Sequence, residues 1–145
     1  MSGLRSFARL HPAERGLLLS TVLVVAIIRI GLWVLPFLRL QRLVRSLHHV
    51  PFSMPTHTPV ARLVWAVRAA SARVPASSCL TQSLALQVLL SRAGHPSQVR
   101  IGMDKDLNTG FHAHAWVECE GNLLLSTSSE IERYLPLFAI EVERA

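Results

Sequence analysis

The stretch that decides the fold runs from residue 77 to residue 118: SSCLTQSLALQVLLSRAGHPSQVRIGMDKDLNTGFHAHAWVE. It opens with two serines that can cap a helix, followed by Cys79. Leucines and other apolar residues then recur on nearly every side of a predicted helix that ends near Ala93, where Gly94 is a natural C-terminal cap. A helix that is apolar almost all round belongs in the core. We therefore expect it to be the central helix of the domain.

The period changes after this helix. Apolar and polar residues alternate over 98–103 and again over 111–120, which predicts two strands separated by a loop at 104–110. The second strand carries His112, His114, Trp116 and Glu118 on one face and Ala113, Ala115, Val117 and Cys119 on the other. A turn at 120–122 then leads to a partner strand over 122–125. The pattern predicts an α+β domain with a small antiparallel sheet.

Cys79 and His114 are the candidate catalytic pair. A lone cysteine is most often a small core hydrophobe, and a strand histidine is most often a hydrogen-bonded structural residue. The start of a helix is a special place for a thiol, because the N–H groups and the helix dipole there favour the thiolate. The same N–H groups can form part of an oxyanion hole. The sequence thus favours a cysteine nucleophile with His114 as its base.

A third group should orient the imidazole of His114 through its other nitrogen. No aspartate follows His114 in the chain. Ser126, at the end of the next strand, will lie beside His114 if the two strands pair. Glu118 shares the strand face and is the alternative. A serine can orient the ring by hydrogen bonding, but it cannot stabilise an imidazolium as a carboxylate does.

The other cysteine and the histidines suggest no further site. Cys119 faces the hydrophobic side of its strand, so we interpret it as structural and expect no disulfide with Cys79. Cys79, His112 and His114, with Glu118, are possible zinc ligands in type, but their spacing matches no usual zinc motif. We expect neither a metal nor another cofactor.

The N-terminal half is apolar and basic. Residues 17–38 are long and apolar enough to span a bilayer, yet Arg29 lies within them and arginines flank both sides. We expect one or two buried helices broken near Pro36, with membrane contact through residues 17–38 as the alternative. Residues 1–73 hold ten arginines and one glutamate. This is either a solvated basic face or a docking surface for an acidic partner, and it does not resemble a nucleic-acid site.

The remaining boundaries follow from prolines and caps. Residues 48–59 are expected to be a linker, and Thr58 with Pro59 begins a helix that ends before Pro75. Ser129 with Glu132 fits a capping box, and residues 137–143 are apolar enough for a last strand. We expect one domain over 1–145, with a helical part and linker at 1–57 and the core at 58–145.

Two runs carry a family resemblance. VPASSCLTQSLALQVLLSRAGHPSQVRIGM at 74–103, followed by FHAHAWVECEG at 111–121, resembles the transglutaminase-like leader peptidases of lasso-peptide biosynthesis, and the likeness extends over roughly 17–138. It implies a transglutaminase-like, papain-like cysteine protease core that removes the leader from a ribosomally made precursor peptide in the cytoplasm. A separate leader-recognition protein captures the leader, and an ATP-dependent lasso cyclase closes the ring on the released core.

The resemblance assigns Cys79 as nucleophile and His114 as general base. The family's third member is an aspartate about a dozen residues after the histidine. That place falls near Ser126 here, with Thr127 next. The departure leaves four alternatives for the site: a serine-assisted triad, transfer of the role to Glu118, a working dyad, or a weakened enzyme. The alternative function is a non-catalytic relative that only binds or scaffolds a partner.

Overall fold

A computed structural model of the chain describes residues 6, 8–47, 49, 57–106, 108, 110 and 112–141. Within them lie five helices: α1 (Pro12–Val34), α2 (Phe37–Leu47), α3 (Val60–Ser71), α4 (Cys79–Arg92) and α5 (Ser128–Ile131). They also form four strands: β1 (Ser97–Asp104), β2 (Ala113–Cys119), β3 (Asn122–Leu124) and β4 (Tyr134–Glu141). The strands build one antiparallel sheet in the order β3-β2-β1-β4. The predicted α+β class is confirmed.

Helix α4 is central, as its all-round apolar surface predicts. Thr81 and every residue from 83 to 90 are buried, and the helix packs on α1, α3, β1 and β2. The Ser78 hydroxyl caps it by accepting a hydrogen bond from the Thr81 N–H at 3.3 Å. Gly94 ends it with φ +86°, a backbone conformation that favours glycine.

Helix α1 packs one side into the same core. Its N-terminus is a capping box between His11 and Glu14 with Pro12 in the first turn, and it ends just before Pro36, where the sequence predicts a break. The buried side consists of Leu17, Leu18, Thr21, Val24, Val25, Ile28 and Gly31. Large apolar side chains are nevertheless exposed elsewhere on this helix: Leu19, Leu23, Ile30, Trp33 and Val34. By length and hydropathy alone, α1 can cross a membrane, although 39% of its most apolar window is buried inside the protein.

Two predicted element starts need correction. Pro59, rather than Thr58, is the cap residue of α3: its carbonyl accepts hydrogen bonds from Arg62 and Leu63, and Thr58 is buried one residue earlier. The last strand begins at Tyr134, three residues before the predicted 137. Most of the predicted linker, residues 48 and 50–56, lies outside the described residues.

The predicted capping box is also displaced. The box of α5 joins Thr127 to Glu130, rather than Ser129 to Glu132. Glu130 Oε2 accepts from the Thr127 N–H at 2.7 Å, and the Thr127 hydroxyl accepts from the Glu130 N–H at 3.4 Å. The helix is already ending at Glu132, so that residue cannot serve its first turn.

Candidate active site

His114 is the second residue of β2, and its ring lies between two aromatic side chains. The ring centroid is 6.1 Å from that of Trp116 and 5.2 Å from that of Tyr134 on β4, with interplanar angles of 25° and 29°. These three side chains lie on the face of the sheet opposite to Ala115 and Val117, which pack into the helical core. The imidazole is therefore held by stacking on the face that the sequence predicts for it.

Gly102 makes this aromatic arrangement possible. It is the β1 partner of His114 in the sheet. A Cβ atom at this position would lie 2.9 Å from Tyr134 Cβ, 3.0 Å from the Leu135 carbonyl oxygen and 3.0 Å from Trp116 Cη2. Any larger residue would therefore displace the rings that stack on His114.

Ser126 is hydrogen-bonded to His114. The β2–β3 pairing ends with Leu124 opposite Val117, and Leu125 then turns the chain with φ +64°. The Ser126 Oγ lies 3.0 Å from His114 Nε2. The same hydroxyl donates to Glu130 Oε2 at 3.2 Å. Because a serine has only one hydroxyl proton, Ser126 accepts from His114, whose Nε2 must then carry the hydrogen. Nδ1 remains as the basic nitrogen.

Glu130 is the residue near the site that the sequence interpretation misses. The backbone N–H of Thr127 lowers the pKa of the Glu130 carboxyl most strongly. The hydroxyls of Thr127 and Ser126 and the positive charge of His114 act in the same direction, whereas desolvation opposes them. The signal is present in the chain as T-S-S-E at 127–130, an S/T-x-x-E capping pattern that places an acid four residues after Ser126.

Glu118, the alternative third residue, has other partners. Its Oε1 accepts from the Trp116 indole N–H at 3.2 Å, and its Oε2 accepts from Arg100 Nε at 3.2 Å. Four residues along a strand span about 13 Å, which separates Glu118 from His114 along β2. Glu118 therefore supports the indole that stacks on His114 and does not itself bond to the imidazole.

Cys79 is the first residue of α4 and is half-buried against the core. From Cys79 to Arg92, the helix extends about 20 Å. The chain turns at Gly94, and β1 then covers about 17 Å between Ser97 and Gly102. Helix α4 packs on β1 and β2, the two strands that hold Gly102 and its partner His114. The described hydrogen bonds include none between the Cys79 thiol and His114.

Cys119 and His112, the other candidate residues, take no part in the hydrogen bonds that join His114, Ser126 and Glu130. Cys119 is only 3% exposed, and burial, with the adjacent Glu120 charge, raises the pKa of its thiol. Both cysteines are free. His112 is exposed, and its carbonyl accepts from the Asp104 N–H at 2.8 Å. Over the part of the chain that the structure describes, no three His, Cys, Asp or Glu side chains are grouped to hold a metal ion.

Comparison of the sequence with models of known protein families identifies the family of this chain. A sequence model of the transglutaminase-like superfamily matches residues 22–139, most of the chain, including Cys79, His114, Ser126 and Glu130. No curated protein and no solved structure matches the chain.

Proposed function

Since this chain belongs to the transglutaminase-like superfamily, we propose that it is a cysteine peptidase that removes the leader from a ribosomally made lasso precursor peptide. The observation that carries the peptidase proposal is the position of Cys79 in the first turn of α4, a helix that packs on the strand holding His114. The leader as substrate rests on the resemblance of residues 74–121 to lasso leader peptidases.

The chemistry is amide hydrolysis through a thioester. His114 Nδ1 takes the thiol proton, and the Cys79 thiolate attacks the scissile carbonyl carbon. Backbone N–H groups of the first turn of α4 stabilise the oxyanion of the tetrahedral intermediate. The intermediate collapses to a thioester as the imidazolium returns its proton to the leaving amine. Water, deprotonated by His114, then attacks the thioester, releases the acid and restores the thiol.

The partners follow from the same proposal. A separate leader-recognition protein presents the precursor peptide to the peptidase in the cytoplasm. An ATP-dependent lasso cyclase then closes the ring on the released core peptide. Neither step requires a metal or a cofactor on this chain.

Cleavage of a precursor peptide tests the proposal. The protein is incubated with precursor and leader-recognition protein, and leader release is followed by mass spectrometry. We expect cleavage by the wild type and by Cys119→Ala, which removes the buried thiol, but no cleavage by Cys79→Ala or His114→Ala. Equal cleavage by Cys79→Ala would overturn the mechanism, and the absence of cleavage by the wild type would overturn the proposed substrate.

A non-catalytic binding or scaffold protein is the second candidate, favoured by Ser126 standing near the place where the resembling family has an aspartate. Such a protein has no need of a reactive thiol. Iodoacetamide near neutral pH discriminates the two, because a nucleophilic cysteine reacts as the thiolate. Selective alkylation of Cys79 supports the peptidase, whereas an unreactive Cys79 in the folded protein supports the scaffold.

We also propose that the enzyme attaches peripherally to an anionic membrane through α1 and the start of α2. Trp33 is 83% exposed and Leu38 is 71% exposed, in a series with other exposed apolar residues of α1. Exposed arginines 39, 42 and 45 follow on α2 and complement anionic headgroups. A transmembrane position of α1 would withdraw its buried side from the core, whereas peripheral attachment leaves that side in place.

Vesicle sedimentation tests this attachment. We expect the protein to sediment with phosphatidylglycerol-containing vesicles and to stay in the supernatant with pure phosphatidylcholine. Trp33→Ser should lower the partition constant by at least about tenfold, since burying a large apolar side chain contributes about 1.5–3 kcal/mol and 1.4 kcal/mol corresponds to tenfold. Trp65→Ser, which removes a 40%-exposed tryptophan on α3, is the matched control. Equal partitioning of wild type and Trp33→Ser would refute the attachment.

A further inference from the structure

We propose that Glu130 is a positioning residue that holds His114 in its Nε2–H tautomer by acting through the hydroxyl of Ser126. The inference rests on the proposed function, in which His114 Nδ1 must be free to take the thiol proton. It assigns to Glu130, four residues after Ser126, the role that an aspartate has in the resembling family.

The first step is the direction of the hydrogen bonds. The Ser126 Oγ lies within hydrogen-bond distance of both His114 Nε2, at 3.0 Å, and Glu130 Oε2, at 3.2 Å. An ionised carboxylate can only accept, so the single hydroxyl proton of Ser126 points to Glu130. A lone pair of Ser126 is then left for the N–H of His114. Without Glu130, the hydroxyl would be free to donate to Nε2 and favour the opposite tautomer.

The second step is that the carboxylate is held in place. Glu130 Oε2 also accepts from the Thr127 N–H at 2.7 Å. This backbone bond fixes the same oxygen that binds the Ser126 hydroxyl. The acid therefore does not depend on the hydroxyl for its position, even though Glu130 is exposed to solvent.

The third step is charge. Transfer of the Cys79 proton converts His114 to an imidazolium, which Ser126 alone cannot stabilise. Glu130 supplies a negative charge one hydroxyl away. The Thr127 N–H is the largest cause of the lowered pKa of the Glu130 carboxyl, and the charge of His114 acts in the same direction as the smallest cause. Ser126 and Glu130 together thus provide both functions of an orienting acid: they orient the imidazole of His114, and they place a negative charge near the imidazolium.

A purely structural role for Glu130 is the competing explanation, since the same side chain completes the cap of α5. Two variants separate the roles. Glu130→Ala removes the acceptor of the Ser126 proton together with half of the capping box. Thr127→Ala removes the other half of the box and leaves Glu130, its backbone anchor and Ser126 in place.

The tautomer of His114 is the readout, measured from the ring ¹⁵N shifts of the full chain without peptide and assigned against His114→Gln. We expect the Nε2–H form to dominate in the wild type and in Thr127→Ala, and to give way to a mixture in Glu130→Ala. An unchanged tautomer in Glu130→Ala, or an equal change in Thr127→Ala, overturns the inference. Because no cleavage is required, the outcome is independent of whether the proposed substrate is correct.

Kinetics give a second test that does not depend on the folding of Glu130→Ala. Glu130→Gln keeps an acceptor oxygen for the cap and for Ser126 but removes the charge. We expect kcat for leader removal to fall by about tenfold to a hundredfold with little change in KM, as for a residue that acts after binding. Glu132→Gln removes the same charge two residues away. Equal kcat values for the two glutamine variants would contradict the role of the charge.

Discussion

The carboxylate of Asp104, at the end of β1, binds the guanidinium of Arg133 immediately before β4. The Arg133 Nη2–Asp104 Oδ2 distance is 2.6 Å, and only 1% of the Asp104 side chain is exposed. A second bond, from Arg133 Nε to the same oxygen, is 2.8 Å long. The ion pair links the end of β1 to the residue just before Tyr134. It therefore helps to fix the position of the Tyr134 ring, which stacks on His114.

Replacement of Asp104 should therefore affect both stability and the site. Asp104→Asn leaves a buried amide opposite Arg133 in place of a charge-assisted pair, and we expect a loss of about 1–3 kcal/mol in the free energy of unfolding. Urea denaturation followed by tryptophan fluorescence measures it. Asp106→Asn, in the exposed part of the same loop, is the control. Similar unfolding midpoints for the two variants would show that the ion pair contributes little.

A side chain at position 102 should disturb the rings around His114. Gly102→Ala places a methyl group within 3.0 Å of Tyr134 and of Trp116, and such overpacking costs about 1–3 kcal/mol. Gly16→Ala is the matched control, because no atom lies within 4 Å of its added Cβ. In the α1 interior it should stabilise by about 0.5–1 kcal/mol. Thermal unfolding of both variants should thus give shifts of opposite sign, and a neutral Gly102→Ala would contradict the close packing.

The two thiols should differ in reactivity. Burial raises the pKa of the Cys119 thiol and closes it to reagents, whereas Cys79 is half-buried at a helix start. We expect brief iodoacetamide treatment at pH 7 to modify Cys79 and spare Cys119, with both alkylated in urea. Mass spectrometry of tryptic peptides locates the label. Preferential modification of Cys119 in the folded protein would contradict its structural interpretation.

Glu130 should contribute to stability in a pH-dependent way. Its folded-state pKa is lowered, chiefly by the Thr127 N–H, so its contribution is present above the ordinary value of 4.5 and is lost as pH falls through the lower folded value. Urea midpoints of the wild type and Glu130→Gln should therefore differ at pH 7 and converge as the pH falls below the lowered folded-state pKa. A constant difference over this range would show that ionisation of Glu130 is not linked to folding.

Local patterns in the sequence predict much of the fold. The all-round apolar surface of α4, its Ser78 cap and the alternation along β2 each depend on neighbours within a few residues. Those signals place Cys79 at a helix start, His114 on the face of β2 opposite to the helical core, and Cys119 in the core. The proximity of Ser126 to His114 follows from the short β2–β3 turn, which makes their pairing local as well.

The features that the sequence does not predict depend on contacts between distant segments or on choices between equivalent patterns. Tyr134 reaches His114 only through the pairing of β1 with β4, and nothing in the alternation of β2 indicates it. The capping box has two matches, at 127–130 and at 129–132, and the end of the short helix decides between them. The hydropathy of α1 is the same whether the helix packs in a protein core or in a membrane. In the structure, one side of α1 is buried and the other side is exposed.

The acid and the hydroxyl that it orients lie within five consecutive residues, Ser126 to Glu130. Their relative placement depends on one turn of backbone and not on the docking of separate strands. The segment can therefore be moved to another chain without changing how the acid and the hydroxyl lie relative to each other. Transplanted into a relative that carries an aspartate at the equivalent of Ser126, S-T-S-S-E would exchange a direct carboxylate–imidazole contact for an indirect one without altering the sheet. An insertion of a single residue inside it would disconnect the acid from the imidazole while leaving the cysteine, the histidine and the fold intact.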